Sequence, residues 1–186
     1  MTIDELIAKI SGSDETARGE AWQNAGPLGA AAIKPLAPLM DHKDTEIRRA
    51  ATRAAWKIVR HAGRPDARRE ARAVTDELIP LLGDGQPWAV RREAAWMLSE
   101  IAGSRAVEPL AKLLNDKDLR EHARAALQRI PGRRSLAALK AAFEAAPEDY
   151  KPALAESLRI RGQKVENVKS VKLVPVKSTA VKQVGR

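Results

Sequence analysis

The 186-residue chain contains no cysteine. Disulfide frameworks, thiol nucleophiles and cysteine-ligated zinc are excluded together, and a reducing compartment suits the composition. Aromatic residues are scarce, at 3%, against 34 alanines, so any core must be built from small side chains. Closely packed helices accept such a core, whereas a sheet draws on aromatic and β-branched residues. Three scattered histidines, His42, His61 and His122, leave little for metal chemistry, and none precedes a glutamate. Each sits beside charged or turn residues and reads as a solvated group at a helix end. No glycine-rich phosphate loop, no Ser/His/Asp order and no run of 18 uninterrupted apolar residues occurs. The start, MTIDELIAKISGSDE, lacks the basic and apolar regions of an export signal. These absences predict a soluble, cytoplasmic protein with no cofactor, no metal site and no transmembrane segment.

What the chain does contain is a repeat: an apolar helix with an internal proline, an Asp-containing turn, then Arg followed by Ala and Leu/Ile at helical spacing. Three copies are plain, at residues 32–59, 77–103 and 106–132. Aligned on Arg48, Arg91 and Arg120, the copies superimpose Ala51, Ala94 and Ala123, then Ala55, Leu98 and Leu127, then Ile58, Ile101 and Ile130. That i, i+3, i+7, i+10 stripe is the buried face of a helix. Weaker copies flank these. The first keeps Asp14, Arg18, Ala21, Ala25 and Leu28 in register, and the last keeps Leu136, Leu139, Phe143, Leu154 and Leu158. Degenerate ends are expected of repeats whose outer faces meet water. The pattern predicts helix pairs at 3–11 and 14–26, 29–41 and 44–62, 66–82 and 87–102, 104–115 and 117–130, and 133–146 and 148–162.

Local signals accompany that parse. Asp44, Ser104 and Ser135 or Asp149 stand where caps or first-turn acids help, and Gly63, Gly103, Gly132 and Gly162 fall where a positive φ is wanted after a helix. Pro35, Pro80 and Pro109 predict bent first helices.

The runs from Asp44 to Ile58 and from Asp116 to Ile130, with a looser version from Asp84 to Ile101, resemble HEAT repeats in the short form first described in phycobilisome bilin lyases. The resemblance covers residues 3–162. It implies an all-α, right-handed α-solenoid of about five HEAT-like helix pairs, with second helices lining a concave face. It also implies a structural Asp/Arg ladder between repeats, falling here on Asp14, Arg18, Asp44, Arg48, Asp84, Arg91, Asp116 and Arg120. The four-residue spacing of Asp14 to Arg18, Asp44 to Arg48 and Asp116 to Arg120 also permits an ion pair within each repeat. Fold does not carry function. The lyase resemblance implies chromophore handling, yet no residue marks a bilin site. The His-Glu pairs by which HEAT-type hydroxylases hold iron are missing. HEAT-like DNA glycosylases combine Trp, Asp and Arg over a basic surface, and this chain has those residue types without a motif that maps one to one.

Charge is uneven. The formal net charge is +9, and residues 1–47 sum to −4, 48–75 to +7, 76–118 to −3, 119–162 to +4 and 163–186 to +5. The positive field therefore concentrates around the second and fourth repeats and the tail. The interval from Arg48 to Arg91 exceeds that from Arg91 to Arg120 by 14 residues, an insertion at about 64–75 that extends the first helix of the third repeat. Repeat proteins often bind at such insertions. Arg49, Arg53, Arg60, Arg64, Arg68, Arg69 and Arg72 form the candidate partner-binding patch. Trp22, Trp56 and Trp96 lie by the alanine stripe and read as packing residues, while Trp88, in a turn after Pro87, reads as either a hydrophobic staple or an exposed anchor.

After Gly162 the pattern stops, and residues 163–186 hold seven valines, six basic residues and one acid. This basic Val/Lys-rich tail is predicted to be free or partner-bound, the competing reading being that Val165, Val168, Val171 and Leu173 fold back over the last helix pair. The chain thus divides into a solenoid at 1–162 and a tail at 163–186. The leading reading is a non-enzymatic scaffold or adaptor that holds another protein with an acidic surface. The alternatives are a nucleic-acid-binding or base-excision protein and a bilin lyase-like or tetrapyrrole chaperone.

Overall fold

Alanine at every third or fourth position lets helix axes approach closely, and the chain folds accordingly. The structure, a computed structural model, describes residues 1–170. All of its regular elements are helical, and among the described residues there is no strand. The helices are α1 (Ile3–Ser11), α2 (Glu15–Gln23), α3 (Ile33–Leu36), α4 (Thr45–Ala62) and α5 (Arg68–Leu78), then α6 (Trp88–Ile101), α7 (Val107–Lys112), α8 (Arg120–Arg129), α9 (Arg133–Ala145) and α10 (Lys151–Ile160). The second helices α2, α4, α6, α8 and α10 each pack on the next and form one layer. The first helices α1, α3, α5, α7 and α9 form the other, α5 reaching α7 through the 3₁₀ turn Ile79–Leu82. The result is a five-pair α-solenoid.

The stripe read from the sequence is the core. Ala51, Ala55, Ile58, Ala94, Leu98, Ala123, Leu127 and Ile130 are buried, and Ile101 is half-buried at the end of α6. In the flanking copies Ala21, Ala25, Leu139, Leu154 and Leu158 are buried, while Leu28, Leu136 and Phe143 are half-buried. Their outer sides have no further repeat to cover them.

The first helices of the middle repeats are interrupted. Each ends in a 3₁₀ turn: Ala37–Asp41, Ile79–Leu82 and Leu113–Asn115. Pro38 and Pro80 open the first two, where the missing amide hydrogen removes an α-helical bond and the turn tightens.

Thr2 caps α1 in a capping box with Glu5, and aspartates cap the second helices α2 and α4. Asp14 Oδ1 accepts from the Thr16 and Ala17 amides at the start of α2, and Asp44 Oδ1 accepts from the Glu46 and Ile47 amides at the start of α4. Ser104 makes no side-chain cap, Ser135 lies inside α9 and donates to the Ile130 carbonyl, and Asp149 pairs with Arg120. The glycines divide. Gly132 and Gly162 adopt φ of 103° and 75°, whereas Gly63 and Gly103 stay at −81° and −89°. A Cβ on Gly63 would lie 3.1 Å from the Ile101 side chain, so close packing of α4 on α6 is what wants a small residue there.

The chain stays attached beyond residue 162. Arg159 Nη2 donates to the carbonyls of Val165 and Val168, its Nη1 lies 3.3 Å from Ser170 Oγ, and Val165 packs on the core. Val171, Leu173 and the rest of the tail lie outside the described residues.

Candidate functional site

The exposed side of the second-helix layer carries a run of indole rings and guanidinium groups, stacked both within helices and between neighbouring repeats. Helix α4 buries Ile47, Ala50, Ala51, Ala54, Ala55, Ile58, Val59 and Ala62. The helical period then turns Arg49, Arg53, Trp56, Lys57 and Arg60 outward. Arg53 lies over the Trp22 ring of α2 at 5.3 Å, with Lys57 at 5.8 Å from the same ring. Arg60 lies 5.4 Å over Trp56. Trp56 Nε1 donates to Glu93 Oε2 on α6 at 3.0 Å, and Arg92 pairs with the other Glu93 oxygen at 2.8 Å. Arg92 in turn lies 4.8 Å over Trp88. Electrostatic attraction between cation and ring quadrupole holds each stack, and Arg53 and Arg60 remain exposed.

Trp88 opens α6 and is 46% exposed. It reaches the next repeat: its Nε1 lies 3.4 Å from the Asp118 carbonyl, and its ring meets His122 edge-on at 6.1 Å. His122 is half-buried on α8, a correction to its reading as a solvated helix-end group. Its Nδ1 accepts from Trp96 Nε1 at 3.1 Å, which assigns the proton of the neutral ring to Nε2. Burial first, then the Arg92 charge, hold His122 below the ordinary histidine range, while Glu121 and Glu93 oppose the shift.

The remaining candidates sit elsewhere. Arg49 pairs with Glu46 on its own helix at 2.8 Å. Arg64 forks onto both oxygens of Glu70 at 2.7 Å and donates to the His61 carbonyl at 2.6 Å. Its hydrogen bonding to Glu70 is the main cause holding that carboxyl below its ordinary range. Arg68, Arg69 and Arg72 are exposed on α5, and no hydrogen bond or ion pair engages them among the described residues. The basic stretch read as one patch is therefore divided between α4, which faces its neighbouring second helices, and α5, which belongs to the first-helix layer.

Among the described residues only Asp84 and Arg91 of the Asp/Arg positions pair within a repeat. No ion pair joins Asp14 to Arg18, Asp44 to Arg48 or Asp116 to Arg120 among the described residues, because the aspartates turn to the backbone. Amides of Ile47 and Glu46 hold the Asp44 carboxyl below its ordinary range, and Asp116 Oδ1 accepts from Asp118 and Leu119. The arginines instead reach the carbonyls that end the preceding helix. Arg18 donates to those of Ile10 and Gly12, Arg48 to His42 and Arg91 to Leu82. A helix C-terminus leaves such carbonyls without internal donors and attracts a cation. Arg91 also bridges Asp84 at 2.7 Å and Asp116 of the next repeat at 3.2 Å, and Arg120 reaches Asp149 of the last repeat at 3.0 Å.

Several residues of these networks lie outside the sequence reading. Tyr150 is buried, donates to the Arg120 carbonyl at 2.8 Å and lies under its guanidinium at 4.3 Å. Burial pushes its phenol above the ordinary tyrosine range. Arg124 reaches Ser157 of α10 at 2.6 Å, and Ser157 donates to Gln128 at 2.9 Å. Arg161 donates to the carbonyls of Leu127, Gln128, Ile130 and Gly132 around the end of α8. These partners are 29 to 34 residues apart in sequence, so no short-range spacing signals them. Among the described residues no three His, Asp or Glu side chains converge as metal ligands, and no helix is long and apolar enough to cross a membrane.

Comparison with known proteins returns the same architecture. The sequence matches the family of HEAT repeats over residues 54–128 and 75–159, more than half of the chain. A designed armadillo repeat protein, solved in complex with the peptide (KR)4, is 22% identical with a TM-score of 0.50, over 83% of this chain and 80% of that one. A second designed armadillo repeat protein is 19% identical with a TM-score of 0.44, over 83% and 80% of the two chains. An engineered protein is 22% identical with a TM-score of 0.46, over 84% and 78%. No curated protein matches the sequence.

Proposed function

Since the chain belongs to the HEAT-repeat family, we propose that it is a protein-binding scaffold whose second-helix layer holds a partner with an acidic surface. One observation carries this reading: Trp22, Trp56 and Trp88 lie on successive second helices, each beneath a cation from Arg53 and Lys57, Arg60 or Arg92. Trp and Arg are the residue types that dominate binding energy at protein interfaces. Their stacking here orders the arginines before any partner arrives, which lowers the entropic cost of docking. Three of the rings span three repeats, so the surface suits an extended partner rather than a small molecule. The designed armadillo neighbour was solved with a basic peptide. This chain carries +9 and would take the opposite charge.

The test begins with a photo-crosslinking residue in place of Lys57, which captures the partner in the source cells. Its affinity is then compared between the parent protein and an Arg53→Glu/Arg60→Glu variant. Binding should weaken by about tenfold or more, and the difference should shrink as salt rises. Equal affinity for both proteins would refute the reading. Capture of duplex nucleic acid, with a steep salt dependence, would replace it with nucleic-acid binding.

A further inference from the structure

The insertion that lengthens the third repeat builds a second feature, on the opposite layer. Arg68, Ala71, Arg72 and Thr75 share one face of α5, at the i, i+3, i+4, i+7 spacing of a helix. That face forms one wall of a cleft of about 480 Å³, whose other wall is Ile101, Gly103, Ser104 and Arg105 at the turn between α6 and α7. A Cβ on Gly103 would meet nothing within 4 Å, so the cleft is open on that side. Three arginines thus line a single space from two elements.

Their charges are not equally committed. Arg105 is held by Asp76 at 2.7 Å. Arg64, upstream of the cleft, is occupied by Glu70 at 2.7 Å, which keeps that carboxylate away from Arg68 and Arg72. Arg68 and Arg72 are exposed and engage no carboxylate among the described residues. Thr75 has spent its hydroxyl hydrogen on the Ala71 carbonyl at 2.7 Å. The side chains lining the cleft, together with Asp76, therefore carry two uncompensated positive charges, with a third guanidinium on an exposed and exchangeable pair.

We propose that this cleft is an oxyanion site that takes a phosphoryl group on Arg68, Arg72 and Arg105. The charge matches. A phosphoryl group carries about −1.5 to −2 at neutral pH and presents three strong acceptor oxygens, and arginine forks bind such oxygens in pairs. A carboxylate carries half that charge and leaves one free guanidinium without a partner. The cleft, about 480 Å³ and lined also by Ile101 and Ala71, has room for the side chain that bears the phosphoryl group. The site is distinct from the indole and guanidinium row on the second helices, and its occupancy does not depend on the scaffold reading above.

The experiment records arginine side-chain NMR signals of the full chain at constant ionic strength. The probes are inorganic phosphate and an alanine pentapeptide bearing central phosphoserine, serine or glutamate. Phosphate and the phosphoserine peptide should shift the Nε–Hε resonances of Arg68, Arg72 and Arg105 and leave those of Arg53 and Arg60 in place. An Arg68→Gln/Arg72→Gln variant, whose substituted side chains are exposed and unpaired, should keep the parent's melting curve and bind about tenfold or more weakly. Arg134→Gln, at an exposed position on α9, should bind as the parent does. A phosphoserine peptide that binds more tightly than inorganic phosphate assigns the site to a protein-borne phosphoryl group, and equal affinities assign it to the free anion. Shifts spread evenly over all exposed arginines, equal shifts from the glutamate peptide, or unaltered binding by the Arg68→Gln/Arg72→Gln variant would overturn the proposal.

Discussion

Arg161 offers a sharp test of how the last repeat is joined to the rest, because it is a half-buried cation whose partners are backbone carbonyls and a hydroxyl. Its Nη1 lies 3.2 Å from the Leu127 carbonyl, 2.9 Å from that of Ile130 and 3.1 Å from Ser135 Oγ, and its Nη2 lies 2.9 Å from the Gly132 carbonyl. Helix α8 ends at Arg129, so these carbonyls include ones its own ladder cannot satisfy. Arg161→Met keeps much of the aliphatic stem and removes the donors. Hydrogen bonds to a charged group contribute about 1.5–3 kcal/mol, and bonds sharing one guanidinium are not additive, so a loss of about 2–3 kcal/mol is expected. For a chain of this size that lowers the melting temperature by about 4–12 °C. Arg161→Lys keeps a cation at the helix end but not the fork, and should recover about 0.3–1 kcal/mol. Arg134→Met, at an exposed position, should change stability by less than about 0.5 kcal/mol. Calorimetry of the four proteins measures the ranking, and hydrogen exchange should show α9 and α10 opening first in Arg161→Met. Superimposable melts for the parent and Arg161→Met would refute the account.

Leu98→Ala and Leu127→Ala each open a cavity at a fully buried position and should cost about 2–5 kcal/mol, read from denaturant midpoints. Protonation of His122 should destabilise the fold: its folded value lies below that of the unfolded chain, so stability is full above about pH 6.5 and falls as pH drops from there through the folded value. Melting temperatures between pH 7.5 and 5.5 should therefore slope more steeply in the parent than in His122→Asn; Asp44 and Glu70, also lowered, act only at more acid pH. Truncation after residue 162 removes the Val165 contact and the acceptors of Arg159, and should lower stability by about 1–2 kcal/mol relative to truncation after residue 170. Equal melts for the two truncations would show that residues 163–170 contribute nothing.

The sequence by itself determined the helices, their pairing and the buried face of each, because those features are written in short-range periodicity. Arg48, Arg91 and Arg120 align three copies of the stripe, and every residue of it but the half-buried Ile101 is buried. Asp44 was legible as a cap because a cap acts over two or three residues. What the arginines and tryptophans touch was decided only by tertiary structure. Stacking of successive pairs sets Trp56 against Glu93, Trp96 against His122 and Arg161 against the end of α8, at separations for which the chain has no local spacing rule. The same holds for Gly63 and Gly103, whose position after a helix suggested a positive φ. At Gly63 the neighbouring Ile101, not the turn, decides what size of residue fits. The basic stretch from Arg49 to Arg72 is continuous in sequence, yet it divides between two layers because the chain reverses between α4 and α5, and side-chain direction follows the layer each helix joins.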